Sequence, residues 1–114
     1  MKVDKSLMTG STTMLILKLL ETGDMYGYQM IDELEKRSEN VFTLKAGTLY
    51  PILHTLEQQG LVESYEGVSD SGRARKYYHI TKRGKEYFQE KNSEWRTYTT
   101  AVNQVLGGVN YVIN

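Results

Sequence analysis

The chain has 114 residues, the size of one ordinary domain, and Leu, Ile, Val and Phe supply about a quarter of it, enough for a small core. It has no cysteine, which excludes a disulfide scaffold, a thiolate metal site and a cysteine nucleophile. Its 14 basic and 14 acidic residues cancel, and no stretch approaches the ~18–20 apolar residues of a membrane span.

Residues 1–10 lack the apolar run of a signal peptide, so a soluble, cytoplasmic protein with no membrane partner is expected. Thr12 to Leu20 is apolar almost all round, broken only by Lys18. Ser11 or Thr12 can cap it and Gly23 stops it, which predicts a helix at the centre of the core. Asp24 is the expected cap of a second helix running to about Arg37. Its Gly27, Met30, Ile31 and Leu34 fall at helical spacing, and Ser38-Glu39-Asn40 ends it.

The third helix is the clearest. Leu49, Ile52, Leu53 and Leu56 stand at i, i+3, i+4 and i+7, a narrow core-facing stripe, and Gly60 is the stop signal. The opposite face holds Gly47, Tyr50, Pro51, His54, Thr55 and Gln58, with almost no charge, which is odd for a face that only meets water. Pro51 is tolerable only near a helix start, so the N-terminus is placed at about Lys45 or Ala46 with a loose first turn.

Leu61 to Glu66 and Arg75 to Ile80 alternate with a period of two, Val62 and Ser64 against Glu63 and Tyr65, Tyr78 and Ile80 against Tyr77 and His79. With the Gly- and Ser-rich connector from Gly67 to Ala74 they read as a β-hairpin. That loop is longer than a tight turn needs, a length that goes with function or mobility. From Thr81, an expected N-cap, a long helix runs to about Leu106, before Gly107-Gly108.

Phe88, Trp95 and Val102 lie seven apart, with Tyr98 and Val105 in a second row. Such a heptad seam wants a partner helix, although Lys91 interrupts it. A terminal helix of ~25 residues is ~37 Å long, more than a short domain can cover on both faces. Homodimerisation through Phe88, Trp95, Tyr98, Val102 and Val105 is expected; the alternative is a helix folded back on its own domain. Residues 109–114 form a tail without an assignable role.

The charge is unevenly spread. Ser71 to Lys85 holds Arg73, Arg75, Lys76, Lys82, Arg83 and Lys85 and no acid, whereas Glu21 to Glu39 is mainly acidic. A local basic patch on a neutral protein attracts phosphate while the remaining surface limits non-specific sticking. A merely solvated charged surface is the alternative.

The order helix, helix, helix, β-hairpin, helix is that of a winged helix-turn-helix. The expected fold is mainly α with a small β-hairpin: a winged helix-turn-helix over residues 1–80 plus a long C-terminal dimerisation helix over 81–108. In such a fold the third helix offers one face to the major groove and the hairpin tip reaches the adjacent phosphates.

Tyr26-Gly27-Tyr28, then Gly47-Thr48-Leu49-Tyr50-Pro51-Ile52-Leu53 with Leu56-Glu57 and Gly60-Leu61, then Gly72-Arg73-Ala74-Arg75-Lys76-Tyr77-Tyr78 with Thr81 and Gly84, resemble the PadR family of bacterial transcriptional regulators. The match runs in order from about Met14 to Tyr87, and the single long last helix is similar to that of the short subfamily, which dimerises through it. The resemblance implies a homodimeric repressor on a palindromic operator in double-stranded DNA, released by a small molecule. Tyr50 matches the recognition-helix tyrosine, and Arg73, Arg75 and Lys76 match the basic wing. Lys45 stands where the family usually has a small capping residue, and offers another phosphate contact. The expected DNA-binding residues are Lys45, Thr48, Tyr50, His54, Thr55, Gln58, Arg73, Arg75 and Lys76. For Tyr50 the alternative is a partly buried ring that supports the helix; Tyr77 and Tyr78 are read as hairpin packing.

In short members of this family a tryptophan at this place in the last helix can face a pore between subunits and stack on flat effectors. The resemblance therefore implies that Trp95 and Tyr98 bind a planar aromatic effector, with Phe88, Leu15 and Met8 able to line the same cavity. A plain dimer anchor is the alternative. Only His54 and His79 are present, and no H-E-x-x-H, Walker loop or G-x-S-x-G occurs, so no enzyme, cofactor or metal is expected. The rival function is a winged helix used for protein–protein contact, which has no need of six clustered cations.

Overall fold

The structure, a computed structural model, describes residues 10–107; the expectations placed on Met8, on residues 1–9 and on the 109–114 tail lie outside them. In chain order the elements are α1 (Thr12–Thr22), β1 (Met25–Tyr26), α2 (Gly27–Arg37), α3 (Ala46–Gln58), β2 (Val62–Val68), β3 (Ala74–Ile80) and α4 (Lys82–Leu106). The fold is mainly helical, with a small antiparallel sheet and a long C-terminal helix.

Because α1 is apolar on several sides, it sits centrally and buries Ile16, Leu17, Leu19 and Leu20. Met30 and Leu34 of α2, Leu49, Leu53 and Leu56 of α3, and Val62, Tyr78 and Ile80 of the sheet join them in the core with Met25, Leu61 and Phe88, and Ile52 is partly buried against it. Each such aliphatic side chain contributes about 1.5–3 kcal/mol when fully buried. Thr81 caps α4 by accepting from the Gly84 N–H at 3.0 Å, and its hydroxyl donates to the Gly60 carbonyl at 2.7 Å. Gly84 is required there, since a Cβ would run into the Leu61 carbonyl. These contacts fix where the long helix leaves the domain.

The structure corrects the sequence reading at three places. Asp24 does not cap α2. Met25 and Tyr26 instead pair with Tyr78 and Tyr77 as a third strand, giving the order β1-β3-β2, and α2 begins at Gly27 behind an extended Tyr26 (φ −91°, ψ 166°). Burying Met25 beside Tyr78 while pairing its backbone favours the strand over an earlier helix turn. The strands of the hairpin also run further than expected, to Val68 and from Ala74, so the connector is short. It is an internally bonded turn, with the Ser69 N–H donating to the Arg73 carbonyl at 2.9 Å and Gly72 at φ +84°. Finally, Phe88 is only 6% exposed and belongs to the core of its own chain, so it has little area to offer a second copy.

Candidate nucleic-acid interface

Lys45 is the N-cap of α3, in extended conformation (φ −95°, ψ 152°). Its carbonyl accepts from both the Thr48 and Leu49 N–H groups, at 3.0 and 2.9 Å, so one carbonyl serves two donors in the first turn. The helix continues through Pro51, whose carbonyl accepts the Thr55 hydroxyl at 3.1 Å. With Leu49, Leu53 and Leu56 facing inward, Lys45, Thr48, His54, Thr55 and Gln58 all stand exposed. That face presents hydroxyl, imidazole and carboxamide groups, which both donate and accept, and a single cation at its start.

Tyr50 lies at the edge of this face, 40% exposed. Its ring leans on the first residue of α2: a Cβ at Gly27 would stand 2.6 Å from the ring Cζ. Burial is the main cause that pushes the Tyr50 phenol above its ordinary pKa; Tyr28 and Tyr78 add to the rise and Arg75 opposes it. The ring thus supports the junction of α2, α3 and the sheet, and the hydroxyl is a donor at any ordinary pH.

In the wing, consecutive strand residues point to opposite faces, which separates the expected cations. Arg73 is exposed in the turn. Lys76 is exposed, its Nζ 5.7 Å from the centre of the Tyr78 ring. Arg75 turns the other way, its guanidinium 4.8 Å from the centre of the Tyr26 ring and its Nε buried without a hydrogen-bond partner among the described residues. Lys82, Arg83 and Lys85 open α4 beyond the other end of β3, ~20 Å of strand away. The run of six cations is therefore two groups in space, not the one patch that the sequence implied.

Sequence reasoning missed the cluster on the outer face of the sheet. Tyr77 meets Tyr26 edge-on at 5.5 Å and stacks on Tyr65 at 5.7 Å. Asp24 accepts the Tyr65 hydroxyl at 2.6 Å and lies 2.8 Å from Nδ1 of His79. Partial burial works to raise the Asp24 pKa, but the hydrogen bonds from Tyr65 and His79 and the charge of His79 outweigh it and hold the carboxyl below its usual range. No local signal could have found partners 41 and 55 residues away.

The sequence model of the transcriptional regulator PadR-like family matches residues 16–90, about two thirds of the chain. This chain belongs to the PadR-like family. A protein of Lysinibacillus sphaericus is 36% identical to it over 108 residues, spanning 94% of this chain and 98% of its own. A transcriptional regulator of Mycobacterium tuberculosis is 34% identical over 93 residues, spanning 82% and 80%. Among solved structures, a PadR-like transcriptional regulator of Bacillus cereus superposes with a TM-score of 0.81 at 31% identity, covering 91% of this chain and 99% of that one. A PadR family regulator of Clostridium difficile gives a TM-score of 0.72 at 37% identity, covering 84% and 98%. The chain is thus a transcriptional regulator, not an enzyme.

This PadR-like regulator also carries a cavity of about 500 Å³ between the start of α1 and the middle of α4, lined by Thr13, Met14, Tyr87, Lys91, Trp95 and Tyr98 among others. The rings of Trp95 and Tyr98 lie 6.1 Å apart, tilted by 40°. Lys91 reaches Glu94 at 3.3 Å, and that hydrogen bond raises the Lys91 pKa. The two expected effector residues are brought together; of the other expected linings, Leu15 and Phe88 are not. Leu15 packs against the core and Phe88 lies inside it, while their neighbours Met14 and Tyr87 take the wall. No helix among the described residues is long and apolar enough to cross a membrane, and no cluster of His, Asp and Glu there could hold a metal ion.

Proposed function

We propose that this PadR-like regulator binds double-stranded DNA as a homodimer on a palindromic operator, represses transcription there, and is released by a small planar aromatic ligand. The exposed face of α3 carries the reading. Thr48, His54 and Gln58 can both give hydrogen bonds to base edges and take them, and Thr55, whose hydroxyl proton goes to the Pro51 carbonyl, can accept them, on a helix anchored by three buried leucines. The exposure of Lys45 at the head of α3 and of Arg73 and Lys76 in the wing supports contacts from these cations to flanking phosphates.

Dimerisation rests on α4. Trp95, Tyr98 and Val105 are exposed on the single chain, 87% in the case of Val105, with Val102 partly so. Apolar side chains at heptad spacing lose water by meeting a second copy. The ligand reading is supported by the Trp95 and Tyr98 rings beside a cavity in the ordinary size range of small-molecule sites. Release requires that ligand to prefer a dimer geometry that cannot span two half-sites.

Selection of bound fragments from a pool of random duplexes, run at two salt concentrations, tests this function. The expected product is an inverted repeat whose half-sites lie ~10 base pairs apart, or a multiple of that, held more weakly at higher salt. A pool that stays random at both salts overturns the reading.

A further inference from the structure

Tyr87, in the second turn of α4, stands between two cavities. It lines the Trp95 cavity and also a second one of about 320 Å³ on the inner side of α3. The second cavity is otherwise lined by Pro51, Ile52, Thr55 and Leu56 of α3, by Gln59 just after that helix, and by Thr13 of α1. Only Tyr87 and Thr13 belong to both linings. Thr13 is short and stiff at its first torsion, so the movable part of the shared wall is the Tyr87 ring.

The two sides of that ring differ. Towards Trp95 it meets the Lys91 ammonium, 5.5 Å from its centre, on a long side chain that turns aside easily. Towards α3 it faces open volume and then the recognition helix itself. Because α4 packs mainly on α1, it reaches α3 across this gap, with Tyr87 partly buried against the core. Leu49, Leu53 and Leu56 are close-packed beneath α3, and a close-packed interior passes a push on as a shift of the whole helix.

We infer that Tyr87 is a positioning residue that carries occupancy of the Trp95 cavity to the recognition helix. A planar ligand against Trp95 and Tyr98 swings the Tyr87 ring into the second cavity, where it bears on Ile52 and Leu56 and tilts α3. This inference rests on the ligand-release reading above and supplies its step within each chain. Hydrogen bonds to base edges hold only over ~2.7–3.2 Å between heavy atoms, so a small tilt is enough to lose them. Two tilted copies of α3 are a dimer geometry that no longer fits two half-sites; the ligand favours it and DNA favours the other.

Reciprocity supplies the test: a ligand that weakens DNA binding through α3 is itself weakened by DNA by the same factor. The full chain is titrated with 2-naphthol, umbelliferone and acridone, read by Trp95 emission, with and without a saturating selected duplex. In the unmodified chain the best quencher is expected to bind at least about fivefold more weakly when the duplex is present. Tyr87→Leu keeps an apolar wall without the ring, and should bring that ratio below about twofold whatever the affinity of the free chain. Tyr87→Phe keeps the ring and should keep the ratio. Ile52→Ala enlarges the second cavity from the α3 side, so the ratio should fall while quenching of the free chain is unchanged. Tyr87 is only partly buried, and its Leu variant serves even where Ile52→Ala lowers the urea midpoint. A Tyr87→Leu ratio equal to that of the unmodified chain overturns the relay, as does a full ratio in a folded Ile52→Ala. An unmodified chain whose Trp95 emission responds to none of the three compounds, or that they do not release from DNA, instead overturns the ligand reading on which the relay depends.

Discussion

The phenol ring of Tyr50 occupies the space that a side chain at residue 27 would need, with its Cζ 2.6 Å from the Cβ position. The Tyr26-Gly27-Tyr28 and Gly47-Thr48-Leu49-Tyr50-Pro51 motifs are therefore two halves of one contact. Gly27→Ala is expected to destabilise the chain by about 1–3 kcal/mol, the usual scale of overpacking, seen as a lower urea midpoint. Adding Tyr50→Ala should make the second substitution cheaper than it is alone, because the methyl group then has room. Strictly additive losses in that cycle would show that the two residues do not compete for space.

Asp24 ties the loop before β1 to both strands of the wing through Tyr65 and His79. Its carboxyl titrates lower when folded than when unfolded, where the ordinary value is near 3.8. A depressed acid contributes stability that is present above the unfolded value and lost as pH falls through the folded one. Urea midpoints should therefore drop between pH 5 and 3, and Asp24→Asn should make that drop smaller. At pH 7 the same substitution is expected to cost about 1 kcal/mol, since the group is partly solvated. An unaltered acid profile in Asp24→Asn contradicts the tie.

The separation of the wing cations predicts unequal behaviour on DNA. Arg73→Ala and Lys76→Ala should each flatten the log–log salt dependence by about 0.9 with no change in the urea midpoint. Arg83→Ala, beyond the far end of β3, should leave the salt slope almost unchanged. Equal slopes for all three variants would restore the single patch implied by the sequence.

Trp95 is the only tryptophan, so its emission reports on one place. Planar aromatic compounds should quench it and release DNA over the same concentration range, and Trp95→Ala should abolish the release. Release that survives this substitution would locate the ligand away from the Trp95 ring.

The core of the recognition unit was legible in the sequence because it obeys a local period. Leu49, Leu53 and Leu56 face inward as their spacing requires, and the uncharged face opposite them stands exposed. Two-residue strands have no period, so β1 was invisible, and Asp24 looked like a helix cap because its true partners are remote in the chain. A linear count of cations cannot register that Arg75 and Lys76, being adjacent on a strand, must diverge. Heptad spacing likewise does not say whose core a residue joins, and so Phe88 was assigned to the seam although it packs within its own chain. Gly27 read as one more apolar position of α2; its part in the Tyr50 contact emerges only when two helices meet.

Sedimentation velocity at micromolar concentration, with and without a labelled duplex carrying the selected operator, tests the central claim most directly. Two chains moving together alone, and two chains moving with one duplex, are the predicted results. A 13.1 kDa species that sediments as a monomer and leaves the duplex behind would contradict it.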